Sequence, residues 1–184
     1  MIRRSFLVLA LAVAAGPALA QFDTLTQKPI VKAVRDGDEE KVRQSLLKGE
    51  NANQVDSSAR PLLMIAVMDG QIAVAEALLK GGAVVDATDR EGYTSLIRAA
   101  ERGDVDIVDI LLKRYARPNA QTRQGVTALM VASRLGHAEI VRLLLANKAD
   151  PNKPDFTGRT ALTFARQNNR GSIETMLRKA GARE

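Results

Sequence analysis

The sequence predicts an all-α solenoid of about five helix-turn-helix units, and three observations carry that prediction. The first is a period of 33 residues. Gly92, Gly125 and Gly158 follow it, as do Thr94, Thr127 and Thr160, and Ala33, Ala66, Ala99, Ala132 and Ala165 run through five units. Repetition of that length marks a stacked-repeat architecture. The second is helical spacing inside a unit: Val108, Leu111 and Leu112 make an apolar stripe of period 3.6. The third is the polarity of the end units. Glu174 and Arg178 stand where Val141 and Leu145 stand one unit earlier, and Lys41, Gln44 and Ser45 stand where the third unit has Ile107, Ile110 and Leu111. Helix pairs this short are unstable alone, so they must stack, and the outermost units need a wettable outer face.

The N-terminus precedes the repeats. Arg3 and Arg4 form a short positive region, and Phe6 to Ala15 is an uncharged, mostly apolar run. Gly16 and Pro17 break it, and Ala18-Leu19-Ala20 supplies the small residues of a cleavage site. Residues 1–20 therefore read as a secretory signal peptide cleaved after Ala20, with a mature chain that is periplasmic or secreted. The apolar run is too short for a permanent span, although an uncleaved anchor is the alternative. Arg3-Arg4-Ser5-Phe6-Leu7 also resembles a twin-arginine export motif. No cofactor site follows it, which favours the ordinary secretion route.

Each unit is then read in order. The boundaries are 25–57, 58–90, 91–123, 124–156 and 157–184, the first and last being caps. Thr94, Thr127 and Thr160 are placed to cap the first helix of their units, since a hydroxyl accepts the free amides there. Leu96 and Ala99 share a face of that helix, and the small alanine admits the next helix closely. Gly103 and Gly136 end it at a position that suits positive φ. Asp38 or Asp104 starts the second helix as its N-cap. The stretch from Asn119 to Gly125 is polar and turn-forming, so an extended loop closes the unit. Asn53, Asp86, Asn119 and Asn152 mark the unit ends in register.

Charge is uneven. Residues 21–122 hold 14 Lys and Arg against 16 Asp and Glu, whereas residues 123–184 hold 11 against 5. The basic field lies at the C-terminal end. For an exported chain this suits an acidic protein surface or an anionic envelope component better than nucleic acid. There is no cysteine, so disulfides and thiolate metal sites are excluded.

The segments Gly92-Tyr-Thr-Ser-Leu-Ile-Arg-Ala-Ala-Glu-Arg-Gly103, Gly125-Val-Thr-Ala-Leu-Met-Val-Ala-Ser-Arg-Leu-Gly-His137, Ile140-Val-Arg-Leu-Leu-Leu145 and Ala149-Asp-Pro-Asn152 resemble the ankyrin repeat. The resemblance runs from about residue 25 to the end. It implies an L-shaped stack of short inner helices, longer outer helices and projecting finger loops. The chain departs from the family at several points. The histidine of the usual Thr-Pro-Leu-His is missing from Pro61-Leu-Leu-Met64, Thr94-Ser-Leu-Ile97, Thr127-Ala-Leu-Met130 and Thr160-Ala-Leu-Thr163, which implies more apolar finger packing. Ala59 stands in place of the loop glycine, so a different turn is expected in the first finger. Asn169 replaces the mid-repeat glycine of the fifth unit, which the left-handed tolerance of asparagine allows.

No catalytic constellation emerges. His137 is the only histidine, and it occupies the family's Gly-His position at a helix start, a structural place. Lys80-Gly81-Gly82 is a helix end and not a phosphate loop. Asp36, Asp38, Asp104 and Asp106 fit helix starts and turns. Neither enzyme activity nor a cofactor is expected.

Binding is the expected function. The resemblance implies that a protein partner meets the finger loops and the open inner-helix face. Carried over by position, the candidates are Arg90, Arg123 and Phe156 at the loop tips, with Tyr93, Val126 and Arg159 beside them. Arg102, Arg134 and Leu135 lie on the inner helices. Arginine and aromatic residues are common anchors of protein interfaces. Tyr93, Arg102, Arg134, Phe156 and Arg159 are expected to have no part in holding the stack. The expected partner is a protein with an acidic surface, met by a chain that is monomeric alone and has no membrane span once the signal is removed. Binding of lipid headgroups or envelope polymers through the basic C-terminal repeats is the alternative.

Overall fold

A computed structural model describes residues 28–183. The signal-peptide and cleavage-site readings fall on residues outside that range. Among the described residues there are ten helices in five antiparallel pairs and no extended sheet. The inner helices are α1 (Pro29–Arg35), α3 (Leu62–Met68), α5 (Ser95–Arg102), α7 (Ala128–Leu135) and α9 (Ala161–Gln167). The outer helices are α2 (Glu39–Leu47), α4 (Ile72–Lys80), α6 (Val105–Lys113), α8 (Ala138–Ala146) and α10 (Gly171–Lys179). Inner helices are shorter than outer ones, as the resemblance implies.

The helix starts follow the expected chemistry. The hydroxyls of Thr94, Thr127 and Thr160 accept the amides of Ile97, Met130 and Thr163. Asp38 and Asp104 do the same for Lys41 and Ile107. Gly103 and Gly136 end their helices at φ +79° and +92°, and Asn169 takes φ +56° in the fifth unit.

The core is one continuous ribbon. The alanines of the repeat register are all buried, which lets the inner helices pack more closely than the outer ones. Met64, Ile97 and Met130, which replace the family's histidine, are fully buried. The apolar stripe Val108, Leu111 and Leu112 is buried too, whereas Lys41 and Gln44 of the first unit are exposed; Ser45, expected on that wettable face, is instead buried, because its place in the helix faces the next unit. Burying apolar side chains contributes roughly 25 cal/mol per Å² removed from water, and only stacked neighbours remove it here.

Two contacts between units explain residues whose periodicity alone had no assigned purpose. The mid-repeat glycine of one unit is covered by a side chain from the next. Gln71 lies over Gly37, His137 over Gly103 and Arg170 over Gly136. A Cβ at Gly103 would stand 2.6 Å from the His137 ring, so the glycine is needed for close approach as well as for its φ. In the third unit Asp104 occupies the covering position but is committed to its helix cap, and Arg102 covers Gly70 instead. The second contact is an amide staple. Asn119 Nδ2 donates to the Lys148 carbonyl and its Oδ1 accepts the Asp150 amide. Asn53 makes the same pair with Gly82 and Val84, and Asn152 with Gly181 and Arg183. A carboxylate cannot donate. At Asp86, therefore, Arg117 supplies both its amide and its guanidinium to the two carboxylate oxygens.

The first finger corrects an expectation. Ala59 does not change the turn. It takes φ +61° and its amide bonds the Asp56 carbonyl at 2.9 Å, as the amides of Gly92, Gly125 and Gly158 do in their loops. The flanking bonds, which recur in every finger, hold the alanine in the left-handed region at some conformational cost.

Candidate functional site

Each finger is built on one buried polar residue. Asp56, Asp89, Thr122 and Asp155 are in register, and one oxygen of each accepts two amides of its own loop. The second carboxylate oxygen recruits a cation. Arg60 and Arg35 reach Asp56, Arg98 reaches Asp89, and Arg159 reaches Asp155. Thr122 has no second oxygen and draws no cation. Burial pushes the Asp56 carboxyl up, but the Arg60 guanidinium and the amides of Arg60 and Ser58 outweigh it and hold the group below the usual carboxylate range. Burial also opposes ionisation of Asp155. There Thr157 and Arg159 prevail, and its carboxyl too is held low.

Neighbouring fingers are tied through their tips. The Arg123 amide donates to the Glu91 carbonyl at 2.9 Å, and the Phe156 amide to the Gln124 carbonyl at 3.1 Å. The second, third and fourth fingers are thus held in register by their backbones as well as by their helices. The family model for three copies of the ankyrin repeat matches residues 30–122, and the model for many copies matches residues 111–165. The chain belongs to the ankyrin repeat family. No curated protein matches it.

On this ankyrin surface the predicted contact residues divide into two groups. Arg90, Arg123 and Phe156 project from the finger tips, and Phe156 is 73% exposed although its ring edges Gly125. Arg134 and Leu135 are exposed at the end of α7. The side chains of Arg90, Arg123 and Arg134 have no partner among the described residues. Val126 is half-buried against the core.

The second group does have structural work, contrary to expectation. Arg102 Nη1 donates to the Met68 carbonyl at 2.6 Å, so Arg102 ties the third unit to the second. Arg159 pairs with buried Asp155 at 2.9 Å and lies 4.7 Å from the centroid of the Phe164 ring. Tyr93 is half-buried beneath the guanidinium of Arg98. For Arg159, and for the Arg98 that covers Tyr93, the reason is a buried carboxylate, Asp155 or Asp89, which must find a donor and draws in the nearest long cationic side chain.

Arg98 was not among the sequence candidates. It bridges Asp89 and Glu101, both at 3.0 Å, and stacks on Tyr93 at the open face of α5. Its register holds Ile65, Val131 and Phe164 in three other units and Lys32 in the first, and a charge set between the apolar residues of the second and fourth units was the available signal. Among the described residues no helix is long and apolar enough to cross a membrane.

Proposed function

We propose that this ankyrin stack, a protein-interaction module, is non-catalytic, works outside the cytoplasm and binds an acidic protein surface through the fingers and inner helices of repeats 4 and 5. The observation that carries the reading is the group of uncommitted cations. Arg123 and Arg134 are exposed without an internal partner, next to the apolar surfaces of Leu135 and Phe156. Most other guanidiniums on this face neutralise the protein's own carboxylates. Unpaired arginine beside apolar area suits an interface anchor. The Lys/Arg excess of residues 123–184 steers an acidic partner to the same end.

The test is a pull-down from envelope extract, followed by binding of the captured partner to an Arg123→Glu/Arg134→Glu variant. Binding should weaken by about 1–3 kcal/mol or more, since charge is reversed at two anchors. Retention of full affinity by the variant places the interface elsewhere. Arg159 is a poor choice for this test, because a glutamate there would face the buried Asp155 carboxylate. N-terminal sequencing of the protein from the periplasmic fraction tests export. A chain that keeps Met1 in the cytoplasm refutes it.

A further inference from the structure

The turns after the outer helices form a second surface. Windows 47–51, 80–84, 113–117, 146–150 and 179–183 occupy one place in successive units. The staples of Asn53, Asp86, Asn119 and Asn152 each join one of these turns to the next, so the windows line up as a continuous edge. Basic residues outnumber acidic ones along it eight to two, and three of the eight, Lys80, Lys113 and Arg117, are paired with Glu76, Asp109 and Asp86. Arg114, Lys148 and Lys179 are exposed with no ion pair among the described residues.

Large apolar side chains stand out from the same edge. Leu47 is 88% exposed, Val84 56% and Tyr115 90%, one in each of the first three units. Between the first two units lies an apolar notch of about 330 Å³, walled by Leu46, Leu47, Ala77 and Gly81 together with Arg43 and Lys80.

Helix electrostatics explains lysines in the last helical turn, such as Lys80 and Lys113. It does not explain Tyr115. Gly49, Gly82 and Gly181 fill that register at φ +85° to +90°, while Tyr115 is held at +62° and Lys148 at +66°. An aromatic side chain in the left-handed region is a conformational outlier. Here its ring touches almost nothing in the fold that would offset the strain. Strain retained at an exposed point is a mark of function.

We propose that this edge docks on an anionic lipid bilayer. Tyr115, Leu47 and Val84 enter the headgroup layer, and the surrounding lysines and arginines meet lipid phosphates. Shallow apolar insertion combined with cations is how peripheral segments hold a charged membrane surface. A row of cations about 33 residues apart in sequence suits a continuous sheet of negative charge. An acidic protein would need carboxylates matched to the spacing of the units. This edge shares no residue with the surface of Arg123 and Arg134, so the two proposals are tested by different variants.

The experiment is co-sedimentation of the protein, as recovered in soluble form, with phosphatidylglycerol vesicles and with phosphatidylcholine vesicles. Binding should be at least tenfold stronger to the anionic vesicles and should fall with added salt. Tyr115→Gly should weaken it at least threefold while raising the melting temperature, because glycine relieves the backbone. Arg114→Glu/Lys148→Glu should abolish it, and Arg134→Glu should leave it unchanged. A merely structural Tyr115 would not move vesicle binding and stability in opposite directions. No preference for anionic vesicles, or equal binding by the Tyr115→Gly and charge-reversed proteins, overturns the proposal. So does capture of a soluble protein through this edge without vesicle binding.

Discussion

The guanidinium of Arg98 lies 3.6 Å from the ring centroid of Tyr93 and holds Asp89 from the other side. One cation therefore fixes a finger flank to its inner helix. Arg98→Ala removes the only cation that meets the buried Asp89 carboxylate among the described residues, and it uncovers the ring. Urea unfolding should show a loss of about 1–3 kcal/mol, the cost of leaving a buried polar group unsatisfied. An unchanged midpoint and slope would show that Arg98 contributes nothing to the fold and is free for a partner.

Acid should weaken the protein through its fingers. The carboxyls of Asp56 and Asp155 are held below the usual range in the folded state. A depressed folded pKa contributes stability that is complete above the unfolded value, near 3.9, and is lost as pH falls through the folded one. Stability should thus be flat near neutrality with respect to these groups and decline below about pH 4. Asp155→Asn keeps an oxygen for the loop amides but cannot titrate. Its stability curve should be lower at neutral pH and less steep in acid, and a slope equal to the parent's contradicts the assignment.

Ser133 offers a change of opposite sign. Its hydroxyl is fully buried with no hydrogen-bond partner among the described residues, in a register held by Val67 and Ala100 in the preceding units. Ser133→Ala removes an unsatisfied group and leaves little void. It should stabilise by about 1 kcal/mol in chemical denaturation. Destabilisation would mean that the hydroxyl has a partner such as bound water.

Ala59 leads to a similar expectation by a different route. Its left-handed backbone costs about 1–2 kcal/mol relative to glycine. Ala59→Gly restores the residue found at 92, 125 and 158, and should raise the melting temperature despite the greater freedom of an unfolded glycine. A fall would show that the loop's own bonds leave no strain to relieve.

Much of this fold was legible in the sequence because its determinants are local and repeated. Thr94 caps its helix by accepting an amide three residues away, and Gly103 turns the chain where it stands, so spacing alone exposes both. Ala59 was misread because the substitution suggested a new turn, whereas hydrogen bonds shared by every finger override the residue's preference. The contacts of Arg102 with Met68 and of Asn119 with Lys148 join residues about 30 apart in sequence. Their partners depend on how one unit sits on the next, which no periodicity reveals. The candidate site was half legible for the same reason. Position in the repeat identified exposed Arg123, Arg134 and Phe156, but could not show that Arg159 and Tyr93 were already engaged.

The amide staples also give the stack a mechanical polarity. Asn53, Asn119 and Asn152 each grip the unit on their C-terminal side. A pull on the C-terminus loads them one after another, like teeth of a zipper. Each release frees 33 residues, roughly 110 Å of extended chain. Stretched between two ends, the stack would lengthen in discrete steps as units leave it, each step opposed by the apolar burial between units and by one staple.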